Sequence, residues 1–73
     1  MAKLEARSEV SGSIWKIEVA LGQKVADGDI LVLVESMKME IPVVAETAGT
    51  VASILIAEGE AITEGQSVVI LET

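Results

Sequence analysis

The sequence predicts an all-β chain, a flattened eight-stranded barrel or sandwich built from two four-strand units related by a pseudo-two-fold, with no helix. Three observations carry that prediction. Aliphatic and β-branched runs are broken by Gly, Asp and Glu every several residues, which is the rhythm of short strands and turns. No stretch has the length and 3.6-residue period of a helix. The chain also repeats itself: a shift of 37 positions lays residues 9–36 on residues 46–73 without a gap. Gly12 then falls on Gly49, Gly22 on Gly59 and Gly28 on Gly65, while Ile17 meets Ile54, Val32 meets Val69 and Glu35 meets Glu72. Leu4 and Ala6 fall on Ile41 and Val43, so residues 1–36 match residues 38–73 and Met37 alone is left over. Aligned glycines predict the same turns in the same places, because glycine takes positive φ at little cost.

The elements follow in order. The segment around Leu4 and Ala6 opens the first unit, as its counterpart around Ile41 and Val43 opens the second. In "SIWKIEV" (13–19) the alternation sends Trp15, Ile17 and Val19 to one face and Lys16 and Glu18 to the other. Trp15 stands where the second unit has Ala52, and is expected to fill space near the pseudo-axis with its ring. "ILVLVES" (30–36) is apolar without interruption; its length and flanking glycine favour a strand buried on both faces over a short helix. "MEIPVVA" (39–45) contains Pro42, which cannot donate to a ladder, so its strand should be an edge or bulge there. "TVASILI" (50–56) and "SVVILET" (67–73) repeat the second and third runs. Each unit is expected to complete the sheets of the other, which holds a small core together without disulfides.

At 73 residues the chain is read as one domain, 1–73, that buries only about 60% of its unfolded surface. A hydrophobic content of 51% is too high for disorder, and with Trp15 the single aromatic residue the core must be Val, Ile, Leu and Ala. There is no cysteine and no histidine, which excludes disulfides, thiolate nucleophiles, Cys/His zinc sites and histidine bases. A net charge of −7 argues against nucleic acid and for basic partner clefts. The N-terminal "MAKLEARSEV" lacks a signal peptide's apolar stretch and no run is long enough to cross a membrane as a helix, so a cytosolic, cytoplasmic chain with no membrane partner is expected. "DGD" at Asp27, Gly28 and Asp29 suggests calcium, but its counterpart Glu64-Gly65-Gln66 has the same turn without the second carboxylate. A turn with solvated charges is the better account, and no metal site is assigned.

The repeat draws attention to "ESMKME" (35–40), at the seam between its two copies. A strand ending at Ser36 and one starting at Met39 leave only Met37 and Lys38 between them, a two-residue hairpin. Such hairpins favour Asn-Gly or Asp-Gly, since both central residues need positive φ, and two bulky residues there cost ~1–2 kcal/mol each. Strain at a turn without glycine is a reason to look for function. As a solvated charge Lys38 would be unremarked, and Met37 and Met39 would ordinarily be core. At a hairpin tip, exposed thioethers instead offer a soft contact surface beside an accessible amine. Glu35 and Glu40 read as solvating charges, Glu35 having its counterpart in Glu72.

With "ESMKME" flanked by apolar strands and set in a glycine-marked repeat, the chain resembles the biotinyl (biotin carboxyl carrier) domain family along essentially its whole length. The resemblance implies a flattened eight-strand barrel with pseudo-two-fold symmetry and covalent biotin on Lys38. Met37 and Met39, with Glu35 and Glu40 flanking them, would be read by a biotin protein ligase. It also implies a non-catalytic, monomeric carrier that visits a biotin carboxylase and a carboxyltransferase, those of an acetyl-CoA or related acyl-CoA carboxylase. Many carrier subunits have an N-terminal region and a Pro/Ala-rich linker before the domain; here Met1 leads straight into the fold and the gapless repeat leaves no room for a "thumb" insertion, so a stand-alone, thumbless carrier is expected. It is thus similar to the small stand-alone biotin/lipoyl attachment proteins of bacteria. Lysine is almost wholly protonated at neutral pH and no base in the sequence lies beside Lys38, so the ligase is expected to take up the proton. Two other readings stay open. A lipoyl domain shares the fold and would carry lipoate on the same lysine, alone or alternately with biotin, though it usually has "DKA" where this chain has Met37-Lys38-Met39. An unmodified β-sandwich would instead bind a partner through its edge strands.

Overall fold

The computed structural model describes residues 2–73. They form eight strands: β1 (Lys3–Arg7), β2 (Gly12–Ile17), β3 (Lys24–Val25), β4 (Ile30–Ser36), β5 (Met39–Val44), β6 (Gly49–Ile54), β7 (Ala61–Ile62) and β8 (Ser67–Glu72). Two four-stranded antiparallel sheets result, ordered β1-β8-β6-β3 and β5-β4-β2-β7, with no helix among the described residues. The 37-residue shift carries β1 to β5, β2 to β6, β3 to β7 and β4 to β8, and so carries one sheet order onto the other. Each sheet takes two central strands from one repeat and both edges from the other, which is the interlocking expected. Pro42 lies on β5, an edge strand, where its missing N–H interrupts no ladder.

The buried apolar residues come in counterpart pairs. Ile14 and Val51, Val25 and Ile62, Leu31 and Val68, Val32 and Val69, Val34 and Leu71, and Val19 and Ile56 are all buried. Ser8 occupies the place of buried Ala45, and its hydroxyl is satisfied: Oγ donates to the Val10 carbonyl at 2.6 Å and accepts from the Val10 N–H at 3.3 Å. Such a core is wholly aliphatic, so Trp15 does not fill it; the side chain is 49% exposed. The cause is a bulge. Between Ile14 and Lys16 the β2–β4 register slips, as it does between Val51 and Ser53 in the counterpart ladder. A bulge inserts one unpaired residue and breaks the period-two alternation, so Trp15 stays outside with Lys16 while Ile14 takes the inward place. Ile17 and Val19 do face inward as the alternation predicts.

A second bulge corrects the reading of "ILVLVES". The β4–β5 register slips between Ile30 and Val32, which lets consecutive Leu31 and Val32 both point into the core. The strand is buried on one face, with Leu33 half-buried and Glu35 exposed on the other.

Glycine plays two roles in the repeat, where the sequence suggested one. Gly22, Gly28, Gly59 and Gly65 hold φ of 83 to 92° in four turns. Gly12 and Gly49 lie instead within strands, where a Cβ would come 2.2 Å from the Glu35 carbonyl oxygen and 2.9 Å from that of Glu72. They permit close approach of two backbones and are not turn residues. The turn carrying "DGD" is closed by its own side chain: Asp29 Oδ2 accepts from the Ala26 N–H at 2.8 Å. Gln66 does the same for Thr63 at 3.0 Å, so the second carboxylate of "DGD" serves the turn.

Candidate functional site

Strands β4 and β5 end in the register pairs Glu35–Glu40 and Ser36–Met39, leaving Met37 and Lys38 as the connection. Met37 has φ of 52° and Lys38 of 65°, the only non-glycine residues with positive φ among those described. Both central residues in the left-handed region define the two-residue turn whose twist matches that of the strands it joins. The expected strain is therefore present, ~1–2 kcal/mol at each residue, and two paired strands hold it in place. Counterpart to the tip are the chain ends, where Thr73 N donates to the Ala2 carbonyl at 2.8 Å.

Met37 is 92% exposed and Met39 64% exposed, so neither is core. Lys38 is exposed as well. The ion pairs among the described residues are Arg7–Glu5 at 3.0 Å and Lys16–Glu18 at 3.6 Å, and Lys38 enters neither. No side chain hydrogen-bonds its amine among the described residues. The apex thus presents a primary amine between two thioethers and supplies no base of its own.

Glu35 and Glu40 face each other one register pair below the turn, both exposed. Their counterpart pair is Glu72 with Lys3, opposite in charge. Like charges placed directly across a ladder are unfavourable by ~0.2–1 kcal/mol, so the tip carries a second small strain absent from its counterpart.

Sequence reasoning missed Gly12 as part of the site. Its bare Cα lets β2 lie against the Glu35 carbonyl and brace the root of the hairpin. An isolated glycine inside a strand pattern was the available signal.

Residues 5–72 match the family described as biotin-requiring enzyme, the biotin/lipoyl family. A biotinylated protein TB7.3 homologue of Mycobacterium leprae is 49% identical over 45 residues, covering 62% of this chain and 63% of that protein. A biotin/lipoyl attachment protein of Bacillus subtilis is 42% identical over 41 residues, 56% of each chain. The aligned part of this chain therefore spans about three-fifths of the curated relatives it matches. Among solved structures, the urea carboxylase of Kluyveromyces lactis superposes with a TM-score of 0.94 at 32% identity, over 99% of this chain and 6% of that one. With the all-β fold in agreement with these matches, the chain belongs to the biotin/lipoyl family of biotin-requiring enzymes.

Proposed function

We propose that this chain is a biotin carboxyl carrier whose attachment residue is Lys38. The observation that carries the reading is the tip itself: a lysine held at φ of 65° at the apex of a two-residue hairpin, exposed and without an ion pair among the described residues. The arrangement fits an attached group, because nothing in the fold covers the amine and the turn fixes where it stands. In the loading step the Lys38 Nζ, freed of a proton by the ligase, attacks the acyl carbon of biotinyl-adenylate. An amide bond forms as the acyl–phosphate bond breaks, and AMP leaves. Met37 and Met39 offer the ligase an adaptable thioether surface on either side of the nucleophile. Bound there, biotin supplies a ureido nitrogen that accepts and gives up a carboxyl group. The chain itself catalyses nothing; its rigid hairpin raises the effective concentration of the tethered group at the active sites of a biotin carboxylase and a carboxyltransferase.

The family description and the relatives named for biotinylation support biotin, and the urea carboxylase likeness supports service to a carboxylase. A second reading, alternate loading with lipoate, is favoured by the Bacillus subtilis relative named a biotin/lipoyl attachment protein. Intact-mass analysis of the protein from its native host separates them: a biotinyl increment is expected, a lipoyl increment supports the second reading. An unmodified mass, with Lys38→Arg silent in the cell, overturns both in favour of a plain interaction module.

A further inference from the structure

The two sheets are counterparts in backbone, yet their outer faces differ in kind. In the sheet that bears the tip, Ile30 pairs with Val44 and Leu33 with Pro42, and Trp15 bulges outward beside Leu33's partner Lys16. Trp15 is 49%, Ile30 43% and Val44 39% exposed. The counterpart positions in the other sheet hold Ser67, Arg7, Ile70, Glu5 and Ala52. There Arg7 pairs with Glu5 at 3.0 Å and the Ser67 hydroxyl also donates to Glu5, an ordinary solvated polar face. One fold thus shows that four of these five positions accept Arg, Ser, Glu or Ala, Ile70 alone matching its apolar counterpart Leu33, and the lysine-bearing sheet fills those four with Val, Ile, Pro and Trp. The apolar stripe runs directly into the Glu35–Glu40 pair and so to the tip.

Resting on the function proposed above, we infer that this face is the docking surface for the enzyme that acylates Lys38. That partner would present an apolar patch centred on Trp15, flanked by arginine or lysine side chains that meet Glu35 and Glu40. Charge complementarity favours such a partner over a second copy, since two chains of net charge −7 repel each other while basic side chains are drawn to Glu35 and Glu40. Reach selects the acylating enzyme in particular. It must bring its active site to the lysine nitrogen itself, so its surface has to rest against the flank of the hairpin. The carboxylating enzymes meet the cofactor at the end of a long arm and can stand further off. An interface of standard size, about 800 Å² per partner, extends far enough from the tip to take in Trp15. Aromatic anchors carry a disproportionate share of such interfaces.

The test borrows each substitution from the counterpart position, so that the fold is already known to accept it: Trp15→Ala, Ile30→Ser and Val44→Arg. Leu55→Ala, equally exposed at 49% and not on this face, is the control. Biotin transfer by the host's own biotin ligase is followed by intact mass at varied carrier concentration, with native backbone NMR spectra required of each variant. We expect KM to rise ten-fold or more for Trp15→Ala, with kcat kept, and no change for Leu55→Ala. With 5-fluorotryptophan incorporated, the single ¹⁹F resonance of Trp15 should shift on adding ligase. Unchanged KM, or a loss confined to kcat, overturns the docking face. Concentration-dependent dimers abolished by Trp15→Ala, with acylation unchanged, overturn it in favour of a second copy. Failure of the unmodified wild-type chain to accept biotin at all overturns the function proposed above, and this surface with it.

Discussion

At Gly22, Gly28, Gly59 and Gly65 the backbone turns through φ of 83 to 92°, and a Cβ at any of them would meet nothing within 4 Å. At the tip, φ of 52° and 65° is imposed on Met37 and Lys38 with no glycine to relieve it. The glycine turns pass the chain from one sheet to the other, between β2 and β3, β3 and β4, β6 and β7, and β7 and β8, whereas the tip joins two antiparallel partners of one sheet, β4 and β5. The body turns need only close, and glycine lets them do so without strain; the strain at the tip fits the proposed role of displaying Lys38. Sheet geometry makes that possible, since β4 lies between β5 and β2 and cannot follow a relaxing turn.

The comparison breaks most completely at the amine. Lys38→Arg keeps charge and length but removes the primary amine, and we expect total loss of the covalent mass increment with an unchanged melting temperature. Next in size is the root of the hairpin. Gly12→Ala drives a Cβ into the Glu35 carbonyl at 2.2 Å, and urea unfolding should register a loss of about 3 kcal/mol, the upper end of overpacking costs. Gly49→Ala, whose corresponding distance is 2.9 Å, should lose less in the same titration. In a body turn, Gly59→Ala has free space but a forbidden φ, so about 1–2 kcal/mol should be lost without any effect on modification. The smallest effect has the opposite sign: Met37→Gly relieves strain and should raise stability by up to about 1 kcal/mol while slowing acylation. A Met37→Gly protein that is both more stable and loaded as fast as wild type would remove the methionine from recognition.

Much of this is legible in the amino-acid sequence. The aligned glycines mark the turns at Gly22, Gly28, Gly59 and Gly65, the missing N–H of Pro42 marks an edge strand, and the strand ends at Ser36 and Met39 mark the two-residue connection, because these depend on local backbone chemistry. Alternation misplaces Trp15 for a non-local reason: it cannot register a bulge, which exists only where two strands disagree by one residue. Gly12 looks like a turn residue in the sequence because its partner, the Glu35 carbonyl, lies 23 positions away.

By itself, then, the sequence determined the strand class, the two-fold repetition and the lysine at its seam, since periodicity, turn residues and a gapless shift are properties of the chain alone. Only the tertiary structure decided which side chains face outward. Register slips between strands place Trp15 and Ile30 in solvent, and an apolar face beside the tip comes into being only when β2, β4 and β5 are laid edge to edge.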